Sequence, residues 1–343
     1  MSEAIDDQLK AFVVEAGLAD PGAPQTWTSL TGGVSSDIWR VESPGRPIVC
    51  VKRAVEKLRV AADWRAPAGR TNFEWRWFDL ARSVIPGAAP EVLAHDDARG
   101  AFAMAYLEPA DHPLWKQELL AGRVDVAAAA AVGERLARLH AATAGRPDIA
   151  AAFATDALFH ALRLDPFLLE AGRRHPQVAE SLQAIAARTA ATHRALAHGD
   201  VSPKNILLGP DGPVFLDAET VWYGDPAFDL AFCLNHLLLK HLVVKDRAQA
   251  LFASFDALAG AYLAAVDWEP PAALEGRAAS LLPGLMLARV DGKSPADYLP
   301  EGPLRDTVRA VAIPLLQSPP TRLAEVSAAW SRRLRQAPPG EAP

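Results

Sequence analysis

The chain has 343 residues, half of them hydrophobic, and a formal net charge of −6 at pH 7. That length allows two lobes around a sizeable core, and the acidic balance argues against a nucleic-acid partner while suiting a cationic or neutral small molecule. The longest apolar run, 227–239, is interrupted by Asp229, Asn235 and His236 and is too short to span a bilayer, so no membrane role is expected.

The acidic start, Met1-Ser-Glu-Ala-Ile-Asp-Asp, lacks the apolar stretch of a secretory leader, and the cytoplasm is the expected compartment. Ile5, Leu9, Phe12, Val13 and Ala16 recur at helical spacing and predict an amphipathic helix. Residues 27–30, 31–36 and 37–41 read as strand, tight loop and strand. Gly32 and Gly33 let backbone N–H groups approach a phosphate closely, and Ser35 and Ser36 add hydroxyl donors. A plain hairpin turn is the commoner meaning of a glycine pair, but the place of this one before a strand favours phosphate contact. Residues 47–52 form a short buried strand ending at Lys52, and a helix over 71–82 offers Glu74 near its start. Residues 101–108 read as a strand ending at Glu108, with Tyr106 beside it and Pro109 following. Cys50 and Cys233 both sit in apolar runs and read as buried free thiols.

From Asp111 the pattern turns helical, with Val132, Leu136, Leu139 and Ala142 on one face. His140 lies off the centre of that face and reads as a packing histidine. The chain then reaches Leu196-Ala-His198-Gly-Asp200-Val-Ser-Pro-Lys-Asn205-Ile-Leu-Leu, a turn at 209–213, and Val214-Phe-Leu-Asp217-Ala-Glu219. This reads as a small hairpin that gathers Asp200, Asn205 and Asp217 near one edge. Carboxylate and amide oxygens suit a hard cation such as Mg²⁺, with phosphate and water completing its shell. Asp200 is free to take a proton from a substrate hydroxyl. The spacing of Asn235, His236 and His241 is not that of zinc ligands. Further helices follow over 247–332, and the Pro-, Gly- and Ala-rich tail over 336–343 reads as disordered.

The spacing from Asp200 to Asn205 matches the protein-kinase catalytic loop, with Gly199 where those enzymes carry Arg. His198-Gly-Asp200…Asn205, Asp217-Ala-Glu219 and Gly224-Asp-Pro-Ala-Phe-Asp229 together resemble the aminoglycoside phosphotransferase and choline kinase family. The resemblance implies an α+β, two-lobed, protein-kinase-like fold: a β-rich nucleotide-binding lobe over 1–108 and a larger, mainly helical lobe over 109–335. It implies ATP and Mg²⁺, with Asp200 as base and Asn205 and Asp217 as metal ligands. Lys52, held by Glu74, would grip the phosphates, and the 106–108 segment, with Tyr106 and Glu108, would flank adenine. His198 would orient the loop, and Asp229 would accept its backbone N–H groups. Residues 52–74 and Asp217-Ala-Glu219…Tyr223-Gly also resemble methylthioribose kinases, which would make Glu219 a further metal ligand. Arg289 is the nearest candidate for the substrate arginines of that branch.

The expected function is transfer of the γ-phosphoryl group of MgATP to a hydroxyl of a small molecule, with a methylthioribose-type sugar kinase as the alternative. A protein kinase is disfavoured because no activation segment ends in Ala-Pro-Glu. The reading from another class is an inactive nucleotide-binding regulatory module. Such modules lose one of the lysine, aspartate or metal-ligand positions, and this chain keeps them all.

Overall fold

The computed structural model describes residues 6–30, 36–55 and 68–336. Gly32, Gly33 and Ser35, residues 56–67 between Lys52 and Glu74, and the tail over 337–343 lie outside the described residues. Helix α1 (Asp7–Glu15) is capped by Asp6, whose carboxylate accepts the Gln8 N–H, and it buries Leu9, Phe12 and Val13.

Strands β1 (Thr26–Ser29), β2 (Ser36–Glu42) and β3 (Val49–Ala54) precede helix α2 (Thr71–Val84); β4 (Val92–Asp96) and β5 (Ala101–Ala105) follow it. They form one antiparallel sheet in the order β1-β2-β3-β5-β4. Strand alternation sorts its faces. Val49, Val51, Ala101 and Ala103 pack with α1, whereas Cys50, Phe102 and Met104 join Trp77 and Phe78 of α2 in the main core. Lys52 shares the parity of Cys50 and so enters the α2 side. Strand β5 stops at Ala105, short of the expected end at Glu108. The Glu108 carbonyl accepts the N–H groups of Asp111 and His112, which turns the chain.

The helical part begins with α3 (Trp115–Leu120), α4 (Val126–Thr143), α5 (Pro147–Ala152) and α6 (Asp156–Phe159). A π-helical segment, His160–Leu169, contains Pro166, which has no N–H for an α-helical bond. Helices α7 (Glu170–Arg174) and α8 (Ala179–Ala191) lead to four short strands: β6 (Ala195–Ala197), β7 (Ile206–Gly209), β8 (Gly212–Phe215) and β9 (Trp222–Gly224). β7 and β8 make the expected hairpin, while β6 pairs with β9. Then come α9 (Ala227–Lys240), α10 (Ala248–Ala264), α11 (Pro271–Asp291), α12 (Pro303–Gln317) and α13 (Leu323–Gln336).

Every residue of α9 is buried. Helix α10 packs closely on α4 at Gly133, where a Cβ would lie 2.2 Å from the Leu258 carbonyl oxygen. Cys50 and Cys233 are both buried and unpaired. Among the described residues no single helix is long and apolar enough to cross a membrane.

Candidate active site

Strand β3, helix α2 and the segment after β8 meet at one lysine. Lys52 Nζ lies 2.7 Å from Glu74 Oε1 and 2.5 Å from Asp217 Oδ1. Lys52 and Glu74 are almost wholly buried; the Asp217 side chain retains 23 % exposure. Burial alone would discharge the lysine, but Asp217 and Glu74 outweigh it and hold the ammonium charged. Burial likewise pushes the Asp217 carboxyl up, and Lys52 and Lys204 more than reverse this, keeping it well below the usual range. Glu74, the more deeply buried partner, is pushed up to about 7 by desolvation despite Lys52.

The 198–205 loop is fixed from several sides. Asp229, fully buried in the first turn of α9, accepts the His198 N–H at 2.6 Å and the Gly199 N–H at 2.8 Å. His140 Nε2 lies 3.2 Å from the same carboxylate, and its Nδ1 lies 2.7 Å from the Tyr262 hydroxyl. His140 is thus a packing histidine satisfied at both ring nitrogens, as its place on the helix suggested. The His198 ring accepts the Asp200 N–H at Nδ1, 3.1 Å away, and lies 3.0 Å from the Leu216 carbonyl at Nε2. These bonds specify the neutral tautomer with the proton on Nε2, and burial lowers the imidazole pKa accordingly. Gly199 has φ +79°, and a Cβ there would lie 2.5 Å from the Thr220 carbonyl oxygen, so neither the conformation nor the space suits a side chain.

Asp200 is 4 % exposed. Its Oδ2 accepts Asn205 Nδ2 at 2.8 Å and lies 3.0 Å from both Arg163 Nη2 and Lys204 Nζ. Burial opposes its ionisation, but Arg163 and Lys204 prevail and keep it a carboxylate. Asn205 Nδ2 also donates to the Asp200 carbonyl, so its donor side faces the loop and its amide oxygen is the end left for a ligand. Leu216 N–H donates to the Asn205 carbonyl, tying the two edges of the hairpin together just before Asp217.

Asp217 has φ +64°, the only positive value at a non-glycine among the described residues. The segment is thus not extended there, and Glu219 does not follow Asp217 as an alternate residue of a strand would. Glu219 is 6 % exposed and accepts Arg70 Nε at 2.9 Å, yet remains near enough to Lys52 to reinforce its charge. Ser36 opens β2 and is buried, with no partner for its hydroxyl among the described residues. Arg40 stacks over the Tyr106 ring at 5.1 Å, and Glu108 is exposed.

Two functional-looking arginines had no role assigned from the sequence, although Arg70 lies in the 52–74 stretch that carries the resemblance. Arg163 comes from the π-helical segment; its Nε donates to the Gly199 carbonyl at 2.5 Å. The one available signal was a cation inside the apolar run Leu162-Arg-Leu. Arg70 holds Glu219 from 149 positions away, a pairing that no local pattern announces. Lys204 stood within the motif, one turn from Asp200, without a role assigned to it.

The donor set is that of a hard cation. Among the described residues no group of three or more His, Cys, Asp or Glu side chains gathers to hold a metal unaided. Asp217 and the amide oxygen of Asn205 fit a Mg²⁺ ion whose remaining ligands are phosphate and water.

A model of the phosphotransferase enzyme family (APH) matches residues 26–265. Methylthioribose kinase from Yersinia pseudotuberculosis is 26 % identical over 251 residues, covering 65 % of this chain and 61 % of that protein. The chain thus spans about three fifths of the length of such relatives. Two solved structures share the fold. Plasmodium vivax ethanolamine kinase has a TM-score of 0.54 at 11 % identity, over 95 % of this chain and 86 % of that one. The aminoglycoside phosphotransferase of Alicyclobacillus acidocaldarius has a TM-score of 0.50 at 15 % identity, over 97 % and 98 %.

Proposed function

Since the chain belongs to the phosphotransferase enzyme family, we propose that it is a small-molecule kinase moving the γ-phosphoryl group of ATP to an alcohol. The observation that carries this reading is the meeting of Lys52, Glu74 and Asp217 beside the Asp200–Asn205 pair. Lys52, positioned by Glu74, binds nucleotide phosphates. Asp200 orients the acceptor hydroxyl and takes its proton. The acceptor oxygen forms the new bond to phosphorus, and the bridging oxygen leaves on ADP. Arg163 and Lys204 keep Asp200 ionised and steady, and Lys204 is close enough to offset charge on the transferring group. Asn205 and Asp217, with Glu219 as a further candidate, would hold Mg²⁺, which when bound offsets phosphate charge. Ser36, with Gly32, Gly33 and Ser35, would cover the phosphates, and the Tyr106–Glu108 segment would flank the adenine. The protein forms no covalent bond in this scheme; its contribution is placement and charge.

Sequence similarity to methylthioribose kinase, together with Asp217-Ala-Glu219 and Tyr223-Gly224, favours a ribose-type acceptor as the second reading. An ATP-consumption screen across methylthioribose, choline, aminoglycosides, homoserine, ketoamines and simple hydroxy acids, with phosphorus NMR of the product, tests both. No acceptor-dependent turnover, with ATP bound, would favour a regulatory nucleotide-binding module instead.

A further inference from the structure

Beyond Asp200, helices α9 and α11 bury cations that phosphoryl transfer does not use. Lys240, in the last turn of α9, is 1 % exposed. Among the described residues it has no hydrogen-bonding or carboxylate partner, and its Nζ stands 4.6 Å from the centre of the Tyr298 ring. The carboxylate nearby, Asp297, is taken by Lys116 at 2.6 Å. His236, one turn before Lys240, has Nδ1 3.2 Å from the Tyr298 hydroxyl, and no partner among the described residues for its buried Nε2.

Arg289, 9 % exposed on α11, completes the group. Its Nη1 donates to the Ser294 carbonyl, and its buried Nε has no partner among the described residues. The guanidinium lies 5.8 Å from the centre of the Phe167 ring. The same ring carries Arg163 at 5.7 Å, and Arg163 is the ion-pair partner of Asp200. Arg289 and Asp200 are near enough to feel each other's charge.

These cations destabilise the fold when nothing pairs with them. Burial, aided by Lys116, lowers the Lys240 pKa to about 7. Burial together with Arg289 and Lys240 pushes His236 far below its ordinary value. A fold seldom keeps an unpaired lysine and an arginine with a free Nε side by side unless something negative visits them. A guanidinium edge and an ammonium are the donors that two-oxygen anions take.

We propose that the acceptor is an anionic alcohol, a small molecule whose carboxylate or phosphate seats on Arg289 and Lys240 while its hydroxyl reaches Asp200. This rests on the kinase reading of Asp200. It reverses the expectation of a cationic or neutral acceptor drawn from the net charge of −6. Net charge describes the whole surface, whereas here Asp200 is taken by Arg163 and Lys204 and Asp297 by Lys116, which leaves Lys240 and Arg289 with no ion-pair partner among the described residues.

Calorimetric titration of the full chain with D-glycerate, glycerol 1-phosphate and choline tests this without turnover. Glycerate or glycerol phosphate is expected to bind, the stronger of the two naming the anionic group, and choline is not. Arg289→Gln and Lys240→Met, each checked for a cooperative thermal melt, should each weaken that binding about tenfold or more, the scale of a lost charge-assisted hydrogen bond. Choline binding with neither anion binding, or anion affinity unchanged in both folded variants, overturns the proposal. ATP titrated in parallel separates the two readings. ATP binding without anion binding removes only the acceptor class, whereas anion binding without ATP binding removes the kinase reading.

Discussion

Lys52 and Asp217 lie 165 positions apart and meet at 2.5 Å, the lysine on the central strand of the five-stranded sheet and the aspartate just beyond the helical lobe's hairpin. Glu74 shares the lysine from behind. One ammonium therefore joins strand β3, helix α2 and the segment that follows β8.

Replacing that ammonium should be costly on two counts. Lys52→Met leaves two carboxylates facing each other with no cation between them. Breaking a buried ion pair typically costs about 3–5 kcal/mol, and protonation of Glu74, already pushed up to about 7, should hold the loss near the lower end. Urea unfolding should show that loss, and nucleotide titration should show ATP affinity falling with it. Wild-type ATP affinity in a folded Lys52→Met protein would remove the lysine from phosphate binding.

Asp200→Asn preserves the shape that Asn205 and Arg163 grip. It removes the charge and the proton acceptor together. kcat should fall by roughly 10²–10⁴-fold, the range for loss of a general base, with ATP affinity little changed. Near-wild-type turnover would assign the proton elsewhere.

Glu219 is already engaged by Arg70. If it also serves the metal, Glu219→Gln should raise the Mg²⁺ concentration needed for half-maximal activity. An unchanged Mg²⁺ titration, with only thermal stability reduced, would make the carboxylate a partner of Arg70 alone.

Lys240 supplies a pH dependence with a definite sign. Its pKa falls from 10.5 in the unfolded chain to about 7 in the fold, burial being the main cause and Lys116 the next. Between those values the unfolded state binds the extra proton, so unfolding free energy should rise with pH across that window and be lowest below it. In Lys240→Met this rise should disappear, and the variant should gain stability at about pH 6 relative to about pH 9 when compared with wild type. Parallel pH profiles for the two proteins would show that the lysine keeps its ordinary pKa.

The clustering of the candidate site residues was legible because they sit at short, fixed spacings. Asp200, Asn205 and Asp217 lie around one hairpin, Lys52 lies within strand β3, and Glu74 lies in the first turn of α2. What was not legible depends on chain paths that spacing does not encode. Arg163 reaches Asp200 from a π-helical turn. Arg70 reaches Glu219 across a long separation. The relation of Asp217 to Glu219 depends on the positive φ at Asp217, which residue spacing does not encode. Strand β9 went unseen because three residues carry no periodicity. Lys240 had no role in the sequence reading; it ends α9, a helix buried on every side. Gly32 and Gly33 lie outside the described residues and keep their standing as candidates.

The two bonds from Asp229 have a kinetic consequence. The His198 and Gly199 amides are held by a carboxylate in the first turn of a helix that has no solvent face. Neither amide can meet water unless α9 leaves the core. Their deuterium uptake should therefore follow opening of the whole helical lobe rather than local breathing of the loop. The segment bearing Asp200 is a loop by backbone shape, yet it should exchange as slowly as the core helix that holds it.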